Sequence, residues 1–386
     1  MIRIAEKSDY EEVARLSQYS LKNDCTEINR LQNKCILGDF ESEKLIAKIH
    51  ILDQNIYFSG GKVKMGGLSS ICVLPEKRRK HDMDKLLFEA LVWMKNRGYS
   101  ISYLHPSSIP YYRKFGWELI SNEKQWTIRK GDLRLRTFSG SCKVKELSGI
   151  LALPFLQAVY DCFSKENNGM LVRSEEWWKK EILKENHFVF VHFLQDGSAD
   201  GYLICRLENK KLYIDECIAL NDTAKKSLWT FICRKRMKFE ELIWRTYEQD
   251  HFSFLLKNPF ILSKVKPSIM GRIINVKSFL EQYMVAPAEM PLFLHIHDSF
   301  ADWNSGTYLI KNGEITHFQK ASQGSACSHP PKRGLQMDIS VLTAVFFRYM
   351  NAASLYDAGL IQGPEDDLDL LKKMLQSKKS ICIDRI

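Results

Sequence analysis

The chain has 386 residues, 45% of them hydrophobic and 26% charged, with a formal net charge of +10. That length exceeds what one hydrophobic core supports, and the composition excludes a disordered or fibrous chain. No apolar run approaches the ~20 residues of a membrane helix, and basic runs such as RKRMKFE are too short and scattered for a dedicated nucleic-acid face.

The opening stretch, MIRIAEKSDYEEVARLSQYS, has no apolar core of a secretory signal. It reads as a strand followed by a helix, with Ser8 and Glu11 at capping-box spacing. KLIAKIHIL (44–52) alternates with period two, and IYFSGGKVKMGGLSSICVL supplies two more strands. A helix is expected from about Asp84 to Arg97, because Met83, Leu86, Leu87, Ala90, Leu91 and Met94 share one face. Gly98 follows at the place of a left-handed cap. ISYL is the next strand, and HPSSIPYYRKFGWELI reads as a loop, a short helical turn and another strand.

The middle of the chain repeats that order. HFVFVHFL, GYLICRL and LYIDECIAL read as strands, and DTAKKSLWTFICRK as an amphipathic helix capped by Asp222. Further on, MPLFLHIHD, GTYLI and GEITHFQ read as strands, DISVLTAVFFRYM and PEDDLDLLKKMLQ as helices, and SICIDRI as an apolar tail. The expected fold class is α/β (α+β), with three domains at 1–140, 141–267 and 268–386. The ten cysteines include no CxxC pair, and Cys72, Cys205 and Cys233 sit in apolar patterns. Buried, unpaired thiols and a cytoplasmic location are expected.

Two segments carry candidate chemistry. ICVLPEKRRKHDM joins a strand to a helix, so its backbone N–H groups and the helix dipole suit a pyrophosphate, with Arg78, Arg79 and Lys80 beside them. Pro75 ends the strand there. A surface turn with a solvated basic cluster is the competing reading. IPYYRKFGWE (109–118) is either an aromatic core plug with a charged rim or the carrier of a proton-donating phenol. His295 and His297 in HIHD share a strand face, yet no third ligand follows at metal-site spacing, and no metal is expected. CSH (327–329) lies in a loop and does not make a nucleophilic dyad by adjacency. EEWWKK reads as a helix anchored by Trp177 and Trp178.

VLPEKRRKHDM resembles the acetyl-CoA loop of GNAT acetyltransferases, V-x-P-x-x-R-x-x-G-x-G/A. Val73, Pro75 and Arg78 match, while His81 and Met83 stand at the two glycine positions. MGGLSSICVLPEKRRK, PYYRKFGWE and DISVLTAVFFRYMNAASLYDAGLI follow the order of the Eis-like (enhanced intracellular survival) branch over nearly the whole length. The resemblance implies a catalytic GNAT domain, a central GNAT-like domain without a cofactor loop, and a sterol-carrier-protein-like domain. It implies acetyl-CoA as acetyl donor, held by Ile71, Cys72 and Val73, by Arg78, Arg79, Lys80, His81, Asp82, Met83 and Asp84, and by Ser107 and Ser108. It puts the proton donor on Tyr112, with Tyr111 left to packing, and the proton-accepting terminal carboxylate on Ile386. Arg113 and Lys114 are expected to make the phenol more acidic.

The implied reaction is direct N-acetylation of a primary amine on a polyamine- or aminoglycoside-like acceptor, with Asp24 and Glu27 assigned to its lining. A homohexamer is implied, with no nucleic-acid or membrane partner. The alternatives are a catalytically degenerate scaffold, or an apolar ligand in the last domain.

Overall fold

The structure, a computed structural model, describes residues 1–18, 35–77, 83–136, 143–283, 290–319, 333–375 and 379–384. They form two compact units. The first holds Met1–Ile120, Ile269–Ser380 and Asp384, and the second holds Ser121–Ser268 and Ile381–Ile383.

The first unit begins with β1 (Ile2–Ile4), α1 (Tyr10–Ser17), β2 (Cys35–Glu41), β3 (Lys44–Phe58) and β4 (Gly61–Val73). It continues through α2 (Met83–Asn96), β5 (Ile101–Leu104) and α3 (Ile109–Arg113). β1 to β4 pair antiparallel in sequence order, and β4 pairs parallel with β5 across the α2 crossover. The expected Ser8–Glu11 cap is not the one formed. Glu6 and Asp9 cap reciprocally around a 3-10 turn, since Asp9 accepts from the Glu6 N–H at 2.7 Å and is gripped by Arg3. The alternation in β3 is also misleading, because everything from Leu45 to Ile51 is buried. Ala47, Ile49 and Ile51 face the α2 leucines, while Leu45 and Ile46 face Val13 and Leu16 of α1. α2 follows its periodicity: Leu86, Leu87, Ala90, Leu91 and Met94 are fully buried. Gly98 takes φ +75°, and the Tyr99 N–H bonds to the Met94 carbonyl at 3.1 Å, closing a Schellman turn.

The second unit contains β6 (Glu118–Arg129), β7 (Val144–Leu147), α4 (Gly149–Lys165), α5 (Glu175–Trp177) and β8 (Phe188–Phe193). β9 (Ala199–Glu208), β10 (Lys211–Ala219), α6 (Asp222–Arg234) and β11 (Glu241–Tyr247) follow. The strands run in the order β6-β11-β10-β9-β8-β7, antiparallel except for the β10–α6–β11 crossover. Asn221, not Asp222, caps α6, its side chain accepting from the Ala224 N–H at 2.8 Å. The core centres on Trp229, stacked on Phe252 at 3.6 Å and tilted against Trp244. The tail is ordered where it enters this unit: Ile381 donates to the Asn168 carbonyl at 2.8 Å and Cys382 to Ser121 Oγ at 3.3 Å.

The chain returns to the first unit in β12 (Leu262–Ile273), whose end pairs antiparallel with β5 from Met270↔Leu104 to Ile273↔Ile101. Then come α7 (Val276–Gln282), β13 (Leu292–His297), β14 (Gly306–Lys311), β15 (Glu314–Phe318) and β16 (Leu335–Asp338). α8 (Ile339–Phe346), α9 (Ala352–Asp357) and α10 (Glu365–Met374) complete it. The four strands form a second sheet, β15-β14-β13-β16. α8 stops short of the DISVLTAVFFRYM reading, because Arg348 turns to φ +57° and starts the link to α9. No helix among the described residues is long and apolar enough to cross a membrane.

Phe58, at the end of β3, inserts among Phe279, Tyr283 and Phe347, with ring centroids at 5.6, 5.8 and 4.9 Å. Tyr103 of β5 meets Phe347 at 5.9 Å. Removing a buried ring leaves a cavity as well as lost transfer energy. Phe58→Ala is therefore expected to cost the first unit about 3–5 kcal/mol, read as a lower urea midpoint of the full chain.

Candidate active site

β4 outruns its parallel neighbour. Its last pairing with β5 is Leu68↔Leu104, where β5 ends, but β4 continues to Val73 along β3. Ser70, at φ +49°, marks a bulge in this extension, opposite the register shift between Lys48 and His50. Ile71, Cys72 and Val73 thus present a strand edge beyond the reach of β5, a shape that pairs with an extended, amide-bearing ligand.

The chain leaving β5 forms the opposite wall. His105–Ser108 leads into α3, with Ser108 as its extended N-cap residue and Pro110 in the first turn. The helix closes tightly: the N–H groups of Phe115 and Trp117 both bond to the Tyr112 carbonyl, at 3.1 and 3.3 Å. Gly116 makes this turn possible at φ +80°. Tyr112 is 4% exposed, its ring edge-on to Tyr111 at 5.3 Å and to Trp117 at 6.5 Å.

The phenol of Tyr112 lies beside the Ser107 side chain and Cys72. Burial lifts it above the ordinary 10.0; the hydrogen bond with Ser107 opposes that rise, and Cys72 adds to it. The expected acidification by Arg113 and Lys114 is not found. Arg113 is turned to Glu118, donating from Nε at 2.9 Å and from Nη2 at 2.8 Å, and neither cation shifts the phenol. Tyr111 packs at the edge of the same apolar cluster as Tyr112, together with Ile71, Val73 and Met83. Asp84 stands in the first turn of α2.

Of the residues expected to act, the structure therefore gathers Ile71, Cys72, Val73, Met83, Ser107 and Tyr112. Asp24, Glu27, Arg78, Arg79, Lys80, His81, Asp82 and Ile386 lie outside the described residues, as does the CSH segment. His295 engages Thr307 Oγ1 at 2.9 Å and the Arg333 carbonyl at 3.1 Å through its two ring nitrogens. Burial pushes the thiols of Cys35 and Cys233 up to about 11, and those of Cys205 and Cys217 up to about 12, away from nucleophilic use.

Two polar groups near this cleft escaped the sequence reading. Lys48 is completely buried, its Nζ 2.6 Å from Ser17 Oγ, 2.9 Å from His50 Nε2 and 3.1 Å from Ser70 Oγ. Arg272 of β12 is also completely buried and donates to the Phe115 carbonyl in the turn after α3. In an alternating strand, Lys48 and His50 read as the solvent face; the amphipathic helix α1 that covers them was the available clue.

Comparison with known families decides the architecture. Acetyltransferase (GNAT) domain families match residues 1–120 and 169–273, and a sterol carrier protein domain family matches residues 276–383. The chain thus carries two acetyltransferase (GNAT) domains followed by a sterol carrier protein domain. It is 22% identical over 221 residues to an uncharacterized N-acetyltransferase of Streptomyces griseus, covering 51% of this chain and 53% of that one. The chain spans about half the length of the curated relatives it matches.

Among solved structures, a protein of unknown function from Enterococcus faecalis, described as a probable N-acyltransferase, superposes with a TM-score of 0.89 at 24% identity. That match covers 100% of this chain and 99% of the other. Eis1 from Mycobacterium abscessus gives 0.81 at 16% identity, covering 100% of both chains. In the acetyltransferase domain matched over residues 1–120, the overrunning edge of β4 and the segment carrying Tyr112 are the candidate site.

A phenol raised by burial favours its neutral form in the folded chain. Its contribution to stability is full below the unfolded value of about 10 and is lost as pH climbs through the higher folded value. Ultraviolet difference titration of wild type against Tyr112→Phe is expected to show the missing ionisation above pH ~10. An increment below pH ~9 would mean that cations do acidify the group.

Proposed function

We propose that this protein transfers the acetyl group of acetyl-CoA directly to a primary amine of a small polyamine- or aminoglycoside-like acceptor, using the cleft of its amino-terminal domain. The observation that carries this reading is the meeting of Cys72, Ser107 and Tyr112 where β4 extends past β5. Ile71–Val73 pair with the pantetheine amides as an added strand would. Arg78, Arg79, Lys80, His81, Asp82, Met83 and Asp84 take the pyrophosphate at the start of α2, and Ser107 and Ser108 border the acyl end. When bound, acetyl-CoA supplies an acyl carbon activated as a thioester.

The amine displaces the thiolate from that carbon, and Tyr112 stabilises the sulfur charge by donating its phenolic hydrogen. A donor held above 10.0 stays protonated throughout the neutral range. Ser107, exposed at the cleft rim, connects the phenol to solvent for re-protonation. The Ile386 carboxylate takes the proton released by the amine. Asp24 and Glu27 are the acids assigned to the acceptor, offsetting the positive balance of the chain. Homohexamer assembly and a cytoplasmic setting belong to the same proposal.

Carriage of an apolar ligand by the last domain is the weaker reading, because Phe279, Tyr283 and Phe347 are packed on Phe58. A degenerate scaffold would keep the fold without binding the donor.

Calorimetry with acetyl-CoA separates these readings, since absence of heat at millimolar donor removes the enzyme. With binding established, a panel of amines is assayed by thiol release. Tyr112→Phe is expected to lower kcat by about 10²–10⁴-fold, and one glycine appended after Ile386 to slow turnover as well. Unchanged turnover in both variants overturns the assigned roles.

A further inference from the structure

Arg272 is 0% exposed, and each of its guanidinium contacts leads to an element that fixes Tyr112. One terminal nitrogen donates to the carbonyl of Phe115. The other donates to both oxygens of Asp298, at 2.9 and 2.7 Å. The Trp117 ring lies 5.4 Å from the guanidinium carbon, and a Cβ on Gly116 would stand 1.7 Å from one of its nitrogens. Since Phe115 and Trp117 both donate to the Tyr112 carbonyl, holding this turn holds the residue that bears the phenol.

Asp298 is itself fixed. It accepts from the Phe300 N–H at 3.2 Å, the Ala301 N–H at 3.0 Å and Asn304 Nδ2 at 2.9 Å. The Phe300 ring then packs on Phe115 at 4.8 Å and on Phe88 of α2 at 5.8 Å. All of these groups belong to one compact unit. A continuous set of buried contacts thus runs from the loop after β13, through Arg272, to the turn after α3.

We propose that Arg272, oriented by Asp298, is a positioning residue for the Tyr112 phenol, so that the sterol-carrier-type domain sets the geometry of the acyl-transfer site. This rests on the reading of Tyr112 as proton donor. Arg272→Lys keeps the buried charge and its partner Asp298 but lacks a second arm for the Phe115 carbonyl. In the full chain, with folding checked by circular dichroism, it is expected to lower kcat by about 10- to 100-fold while the KM for acetyl-CoA stays within about 2-fold.

The deciding comparison is the same substitution in a Tyr112→Phe background, where no further loss in kcat is expected, because the group being positioned is gone. An equal loss in both backgrounds, or no loss in wild type, overturns the proposal while the role of Tyr112 stands. If Tyr112→Phe turns over as fast as wild type, the function reading itself falls first. Should Arg272→Lys not fold, Asp298→Glu is compared in the same two backgrounds. Failure of both variants to fold also overturns the proposal, since the pair is then a folding element with no separable effect on the site.

Discussion

Burying a guanidinium and a carboxylate removes two charges from water, at a cost of several kcal/mol per ion that only a dense set of hydrogen bonds offsets. For Arg272 and Asp298, one terminal nitrogen donates to both carboxylate oxygens, two backbone N–H groups and one amide also reach the carboxylate, and the Phe115 carbonyl accepts from the other terminal nitrogen, while Arg272 Nε stays without a hydrogen-bond partner. Burial still draws the Arg272 pKa down, against the pull of Asp298. A buried pair held this way tolerates little displacement. It ties β12, the loop after β13 and the turn after α3 into one geometry, and the cleft is defined by that turn.

The two GNAT-type halves differ in the link between strand and crossover helix. Both cross over in parallel, β4–α2–β5 and β10–α6–β11, and in both the first strand continues beyond its last parallel partner. In the first half the crossover passes through the basic segment before α2. In the second, only Leu220 and Asn221 separate β10 from α6, and the Asn221 side chain already accepts the Ala224 N–H. A helix start satisfied by its own cap has less to offer a phosphate. The strand topology is duplicated, whereas the link from the first strand to the crossover helix is not.

Local signals in the sequence were those backed by short-range physics. α2 and its Gly98 terminus follow from three-four spacing and a left-handed cap, and most strands follow from apolar runs bounded by turns. α4 is masked in the sequence by Pro154, which lies inside it where proline ordinarily signals a break, yet the helix continues to Lys165. The Ser8–Glu11 and Asp222 caps failed by one or two positions, because Arg3 fixes Asp9 and Asn221 offers the better-placed oxygen. The surroundings of Tyr112 depend on side-chain direction, which sequence spacing does not give. Neighbouring cations in sequence imply an acidic phenol only if they point toward it, and Arg113 is claimed by Glu118.

Contacts distant in sequence shape the β4 side of the candidate site. Lys48 and His50 are polar residues on a strand covered on both faces, and burying a lysine is tolerated only with partners in place. Through Nζ, Lys48 joins Ser17 of α1, His50 of its own strand and Ser70 of the β4 bulge. Ser70 holds a positive φ that a serine adopts at a cost, and the hydroxyl contact with Lys48 helps to fix it there. The bulge, in turn, sets how Ile71–Val73 leave the register of the sheet. Each wall of the cleft is therefore aimed by a buried basic side chain from a different strand, Lys48 of β3 for the β4 edge and Arg272 of β12 for the Tyr112 turn.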